Sequence, residues 1–294
     1  VTIVGNSFQT PNTVNAVSFG GTPAYNFIVT TNNSITAVTS ANTAGMVDIY
    51  LTTNTGIVST ANSADHFTFD TPPTYSSPAV TVNVTQNVAF TTLNTLLKVS
   101  DIDVGQQETW TQQTAPSYGT ITFVGATTTN SGSVNITSNT QIVYTPNAGY
   151  TGNDSFTIQV SDGYYTANQT LPVIVYAAPT VNSVSPALVT INGGSTIQIT
   201  GNNFTYVNGV TIGGVSALSF TTNNSHLITA VVPSANAAGV IDVTVSNPAT
   251  VSATSSADYL RYDTAPIFVN TTVNVVTSLN TAITTLNAVL TVND

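Results

Sequence analysis

The chain has 294 residues, 41% hydrophobic and only 5% charged, with a formal net charge of -10 and a mean hydropathy of +0.21. Lys98 and Arg261 are its only basic side chains, so binding of nucleic acid, which needs clustered Lys and Arg, is excluded and anionic membrane surfaces are disfavoured. With no cysteine there is no disulfide framework, no thiolate nucleophile and no Cys-based metal site.

No apolar run approaches the roughly 18 residues of a membrane helix, so no membrane insertion is expected of this segment. At about 100 to 200 residues per domain, several small domains are expected. The chain begins at Val1 and reads as a mature piece or a window on a longer array.

The first stretch, residues 1–70, opens with VTIVGNSF at 1–8 and returns later as IQITGNNF at 197–204. Phe19-Gly20-Gly21 meets Ile212-Gly213-Gly214, ITAV at 35–38 meets ITAV at 228–231, and Asp48 meets Asp242. A second kind of unit starts at 71, and its TTLNTLLKVSD at 91–101 corresponds to TTLNAVLTVND at 284–294. The order is A, B, A, B, with units at 1–70, 71–176, 177–263 and 264–294, at an offset of 193 to 196. The first A lacks the lead-in that the second has at 178–196, and the last B holds only opening strands.

Within each unit apolar residues alternate, as at Val82 and Val84, then Phe156, Ile158 and Val160, Ile197 and Ile199, and Val243 and Val245. Period-two alternation in β-branched residues predicts half-buried strands. Asp162-Gly163, Asn208-Gly209, Gly213-Gly214 and Thr145-Pro146 mark the turns between them. Many short strands closed by turns predict an all-β chain of tandem immunoglobulin-like β-sandwiches in an elongated array. Pro-containing joints at 71–73, 177–179 and 264–266 would stiffen it.

Unit A resembles the TIG (IPT) immunoglobulin-like domain, on PTVNSVSP at 179–186, Gly193-Gly194, IQITGNNF at 197–204, VTIGG at 210–214 and Val231-Val232-Pro233. Unit B is similar to the bacterial cadherin-like tandem repeats, on LKVSDID at 97–103, APSYGTI at 115–121, YTPNAGYTGNDSF at 144–156 and Val160-Ser161-Asp162-Gly163. These resemblances imply a bacterial extracellular, cell-surface or secreted multi-domain protein, an adhesin or surface fibre.

Asp101 and Asp103 form an Asp-x-Asp pair that offers two hard oxygens to a calcium ion, with Asp154 or Asp162 as further donors. The same carboxylates also suit turn and loop capping, and the chain has few acids for the six to eight oxygens calcium takes. No other cofactor is expected. His66 corresponds to Tyr259, and His226 to Asn33, so neither imidazole is required by the repeat, and both read as exposed or partly packed strand residues. Lys98, which suggests an isopeptide bond, is replaced by Thr291 in the next copy. Trp110 and the Tyr164-Tyr165 pair are candidates for stacking on sugars and equally for packing. Eight Asn-x-Ser/Thr sequons, such as Asn32 and Asn203, leave glycosylation open.

No acid/base pair, nucleophile triad or phosphate loop is visible, so the segment is expected to be non-catalytic. The reading is an extracellular stalk or fibre for adhesion whose partners are neighbouring repeats and copies of itself. A self-assembling subunit of a filament, sheath or surface layer is one alternative; an accessory binding module of a polysaccharide-active enzyme is another.

Overall fold

The computed structural model describes residues 1–9, 13–124, 128–139, 141–264, 267–268 and 292–293. It is an all-β chain in which the only helical elements among the described residues are three short 3-10 turns. By packing it divides into two compact units, one of residues 1–82, 89–145 and 154–172, the other of 83–88, 146–153 and 173–294.

The first unit begins with a sandwich. Its strands are β1 (Thr2–Val4), β2 (Val14–Phe19), β3 (Thr22–Pro23), β4 (Asn26–Thr31), β5 (Ser34–Val38), β6 (Gly45–Thr53) and β7 (His66–Phe69). They form one sheet in the order β1-β5-β4 and another in the order β3-β2-β6-β7. Val17, Phe19, Ile35 and Ala37 are buried between them, as alternation requires when one face of each strand meets the core. Phe19 and Phe67 meet edge to face with ring centroids 5.1 Å apart.

The chain continues through β8 (Thr74–Tyr75), β9 (Val82–Thr85), β10 (Val99–Thr114), β11 (Gly119–Val124), β12 (Thr128–Ile136), β13 (Gln141–Pro146), β14 (Gly152–Ser161) and β15 (Thr166–Tyr176). One sheet runs β12-β10-β14-β15-β9 with β8 also on β10, while β11 pairs with β13. Tyr144 stacks on Phe156 at 5.8 Å, and Trp110 is buried with its Nε1 donating to the Leu97 carbonyl at 3.3 Å. Trp110 is therefore a packing residue, while Tyr164 and Tyr165 lie exposed.

In the second unit the chain forms β16 (Thr180–Ser185), β17 (Leu188–Thr190), β18 (Thr196–Asn202), β19 (Gly209–Ile212), β20 (Val215–Ser216), β21 (Ser219–Asn224), β22 (Leu227–Val231), β23 (Gly239–Ser246) and β24 (Tyr259–Asp263). The sheets are β16-β18-β22-β21 and β17-β24-β23-β19-β20. Ile197, Ile199, Phe204, Ile228, Val243 and Val245 fill the space between them. Residues 177 and 178 are held by Asn247 and Asn203, whose amides donate to the carbonyls of Ala177 at 2.9 Å and Ala178 at 2.8 Å. Beside them Tyr176 meets Tyr206 edge to face at 5.3 Å.

The two A copies share a register: Ile3 pairs with Ile35 as Ile199 pairs with Ile228. The first copy has no counterpart of β16 or β17 among the described residues, which follows from its missing lead-in. Of the stretch 264–294, only Thr264, β25 (Ile267–Phe268) and β26 (Val292–Asn293) are described, with Ile267 opposite Asn293; the rest, including Pro266, Asn270 and Asp294, lies outside the described residues.

One packing device repeats. The Phe8 ring lies against Gly5 so closely that a Cβ there would sit 2.6 Å from its Cζ, and at Gly201 a Cβ would meet Phe204 Cζ at 2.5 Å and the Thr180 carbonyl oxygen at 1.9 Å. Backbone cannot retreat from β16 without breaking the sheet. Gly201→Ala should cost about 1–3 kcal/mol of stability in urea unfolding, the range of core overpacking. Gly239→Ala, where a Cβ meets nothing within 4 Å, should stay within about 0.5 kcal/mol.

Candidate metal centre

The long strand β10 carries the site. Val99, Asp101 and Asp103 alternate inward, and simple alternation would then turn residue 108 to the other face. The ladder to β12 slips three times between Val99 and Gln107, and Gly105 takes φ +88°, a left-handed conformation that glycine adopts without a side-chain clash. The slip reverses the parity of the strand, so that Glu108 and Trp110 point inward as Asp101 and Asp103 do.

Asp101 and Glu108 are then almost wholly buried, at 1% and 0% exposure, and Asp162 from the turn after β14 joins them at 3%. Asp70, the residue following β7, completes the group with Gln106, whose Nε2 donates to Asp70 Oδ1. Five of the chain's 12 acids thus influence one another here.

Each of three carboxylates spends one oxygen on the backbone. Asp101 Oδ1 accepts from the Asp103 amide at 2.9 Å, Asp162 Oδ1 from the amides of Tyr164 and Tyr165 at 2.7 Å each, and Asp103 Oδ2 from the Thr71 amide at 2.6 Å. Their turn-capping role and a ligand role therefore fall on different oxygens. Asp70 Oδ2, Asp101 Oδ2, Gln106 Oε1, both oxygens of Glu108 and Asp162 Oδ2 are buried without a hydrogen-bond partner. They are six of the eight such atoms among the described residues.

Burial, then the neighbouring Asp101 carboxylate and the charges of Asp162 and Asp70, pushes the Glu108 carboxyl up to about 8. Burial raises Asp101 and Asp70 as well. Unpaired carboxylate oxygens out of water are costly unless a proton or a cation neutralises them. The donors are all oxygen, with no nitrogen or sulfur in the set, and the six unpartnered atoms equal in number the smallest calcium shell.

Of the sequence candidates, the structure brings Asp101, Asp103 and Asp162 together and leaves Asp154 out. Asp154 is satisfied elsewhere: its Oδ1 accepts from the Ser117 amide at 2.9 Å, its Oδ2 from the Tyr118 amide at 3.0 Å and the Tyr144 hydroxyl at 2.9 Å. Sequence reasoning missed Asp70, Gln106 and Glu108. Gly105, the one glycine inside an otherwise alternating run, is the signal that pointed to Glu108. Lys98 is half-buried beside Val99, and His226 stands exposed at a turn, its Nδ1 2.9 Å from Ser225 Oγ.

Fold and site together define a chain of tandem immunoglobulin-like sandwiches with a buried acidic centre. Residues 179–262 match the IPT/TIG domain and residues 70–174 the bacterial Ig domain, so the chain carries these two in tandem. Domains of these kinds are typically non-catalytic, and they accord with an extracellular protein. No curated protein matches the chain in sequence.

Among solved structures, an I-band fragment of titin is 11% identical, with 87% of this chain and 88% of that one covered at a TM-score of 0.35. An endo-fucoidan hydrolase of glycoside hydrolase family 107 is 13% identical, with 85% of this chain and 39% of that one covered at 0.27. A Bacteroides ovatus mixed-linkage glucan utilization protein, solved with a heptasaccharide, is 14% identical, with 91% and 64% covered at 0.24. The chain spans well under half the length of the hydrolase. Among the described residues no helix is long and apolar enough to cross a membrane.

The raised carboxyls make a signed pH dependence. In chelator-treated protein Glu108 holds its proton in the folded state up to about 8 but in the unfolded chain only to the ordinary glutamate value of 4.5. The folded state binds more protons between those values, so stability is greatest at the acidic end and is lost as pH rises toward 8. Urea unfolding from pH 5 to 9 should show this fall, and Glu108→Gln should flatten it. A wild-type profile without that fall would exclude the raised Glu108 carboxyl.

Proposed function

We propose that the chain is a non-catalytic structural segment of a secreted or cell-surface protein, part of a stalk or fibre for adhesion, in which calcium held by Asp70, Asp101, Asp103, Gln106, Glu108 and Asp162 ties the sandwich of residues 1–70 to that of 71–176. The reading takes 177–263 as the next sandwich and 264–294 as the start of another. One observation carries it: buried, unpaired oxygens come from both sides of the Asp70-Thr71 junction. The match of residues 70–174 to the bacterial Ig domain accords with an extracellular spacer.

Calcium supplies the positive charge that a chain with two basic residues lacks at this place. Asp70 and Gln106 then fix the end of β7 against β10, while Asp103 fixes the backbone of Thr71 between them. A joint restrained at three points resists bending, which is what a spacer holding a distant domain away from a surface requires.

Calcium at a hundredfold excess over its dissociation constant should stabilise the protein by about 2.7 kcal/mol, read as a higher Tm that a chelator reverses. Asp101→Asn and Glu108→Gln should each abolish the shift, and Asp154→Asn should lower Tm in both conditions while keeping the shift. Small-angle scattering should show a narrower distribution of dimensions with calcium. No calcium-dependent change in Tm would sink the metal reading, and ordered polymers in electron micrographs would replace the stalk by an assembly subunit.

A further inference from the structure

A second cluster lies on the outer face of the first sandwich. His66 opens β7 directly opposite Asp48 on β6, and its Nε2 stands 3.4 Å from Asp48 Oδ1. Phe67 and Phe69 turn to the core, so His66 is held outward on a strand whose other face is fixed. Asp65 immediately precedes it, and one ligand atom each from Asp48, Asp65 and His66 lie within 4.8 Å of one another.

The remaining contacts leave this triangle open. Asp48 Oδ2 accepts from the Tyr50 hydroxyl at 3.3 Å, and Asp65 Oδ2 accepts from the Asn62 amide at 2.9 Å and from its side chain at 3.3 Å. Asp65 Oδ1 is a buried atom without a hydrogen-bond partner. The side chains of His66 and Asp48 are 37% and 33% exposed, which leaves an approach from solvent.

The second copy supplies the contrast. Asp242 and Asp258 occupy the places of Asp48 and Asp65, and Asp242 pairs with Tyr259 as Asp48 pairs with His66. There Asp258 closes a capping box with Ser255 and is fully buried, and an imidazole is absent. The acid pair is thus a feature of the sandwich, while the imidazole belongs to the first copy alone.

We propose that Asp48, Asp65 and His66 form a site for a first-row divalent transition metal, zinc above all. One imidazole and two carboxylates are borderline donors suited to such ions and poorly suited to calcium. Arms of about 2.0–2.1 Å in a tetrahedral shell put neighbouring ligand atoms about 3.3 Å apart, close to the observed imidazole–carboxylate spacing. Three protein ligands leave a further position for water or for a donor from another molecule.

The test is titration of calcium-saturated protein with zinc chloride by calorimetry, with the imidazole carbon signals followed by NMR. One equivalent should bind saturably and shift the His66 signals but not those of His226. His66→Tyr, which installs the residue of the second copy, should weaken binding at least tenfold, and Asp48→Asn should do the same if the first variant does not fold. His226→Gln, which removes the other imidazole, should leave zinc binding unchanged. Absence of saturable binding, affinity unaltered in the variants, or a response at His226 in place of His66 would overturn the proposal.

Discussion

Buried negative charge without a protein counter-ion is the constraint on which this structure turns. In most proteins a carboxylate withdrawn from water meets an Arg or Lys, but here there are only two basic side chains and the one ion pair Arg261 makes, among the described residues, is with Asp263 at 3.9 Å. The carboxylates at the junction of the first two sandwiches must therefore be neutralised by something bound from solution, a proton or a cation.

The rest of the chain meets its polar needs with neutral groups. Thr, Ser and Asn side chains bridge strands, as where Thr211 and Thr244 lie 2.5 Å apart, Ser183 and Thr200 2.7 Å, and Thr157 and Thr170 2.8 Å. Such pairs satisfy one another whatever the pH or ionic strength, because neither partner titrates. Environmental sensitivity is thereby confined to the few places where acids gather.

The fold was largely legible because it rests on local and repeated signals. Alternating apolar residues placed Ile197, Ile199, Val243 and Val245 in the core, and the self-similarity of 1–8 with 197–204 foretold a common register. The buried acidic cluster was legible only in part. Asp101 and Asp103 announce themselves by spacing, and Asp162 by its turn, but Asp154 has the same sequence credentials and proves to be a capping residue. What separates Asp154 from Asp162 is the set of amides and hydroxyls around each, a tertiary property. Glu108 was hidden because strict alternation sets it opposite Asp101, and Asp70 because it follows β7, some thirty residues before Asp101. His66, dismissed by comparison of the copies, is where they differ in chemistry while agreeing in backbone.

The bulge at Gly105 gives the stretch from Asp103 to Glu108 an arithmetic that the flanking sequence does not have. Four residues separate the two acids, an odd step across the pleat that only a register slip can accommodate. Substitutions in this stretch are judged one by one, but a single-residue insertion or deletion changes the odd step to an even one and swings Glu108 and Trp110 outward together. Changes that keep the phase of the strand preserve the cluster, whereas a slip of one residue here removes a buried acid and a core residue at once.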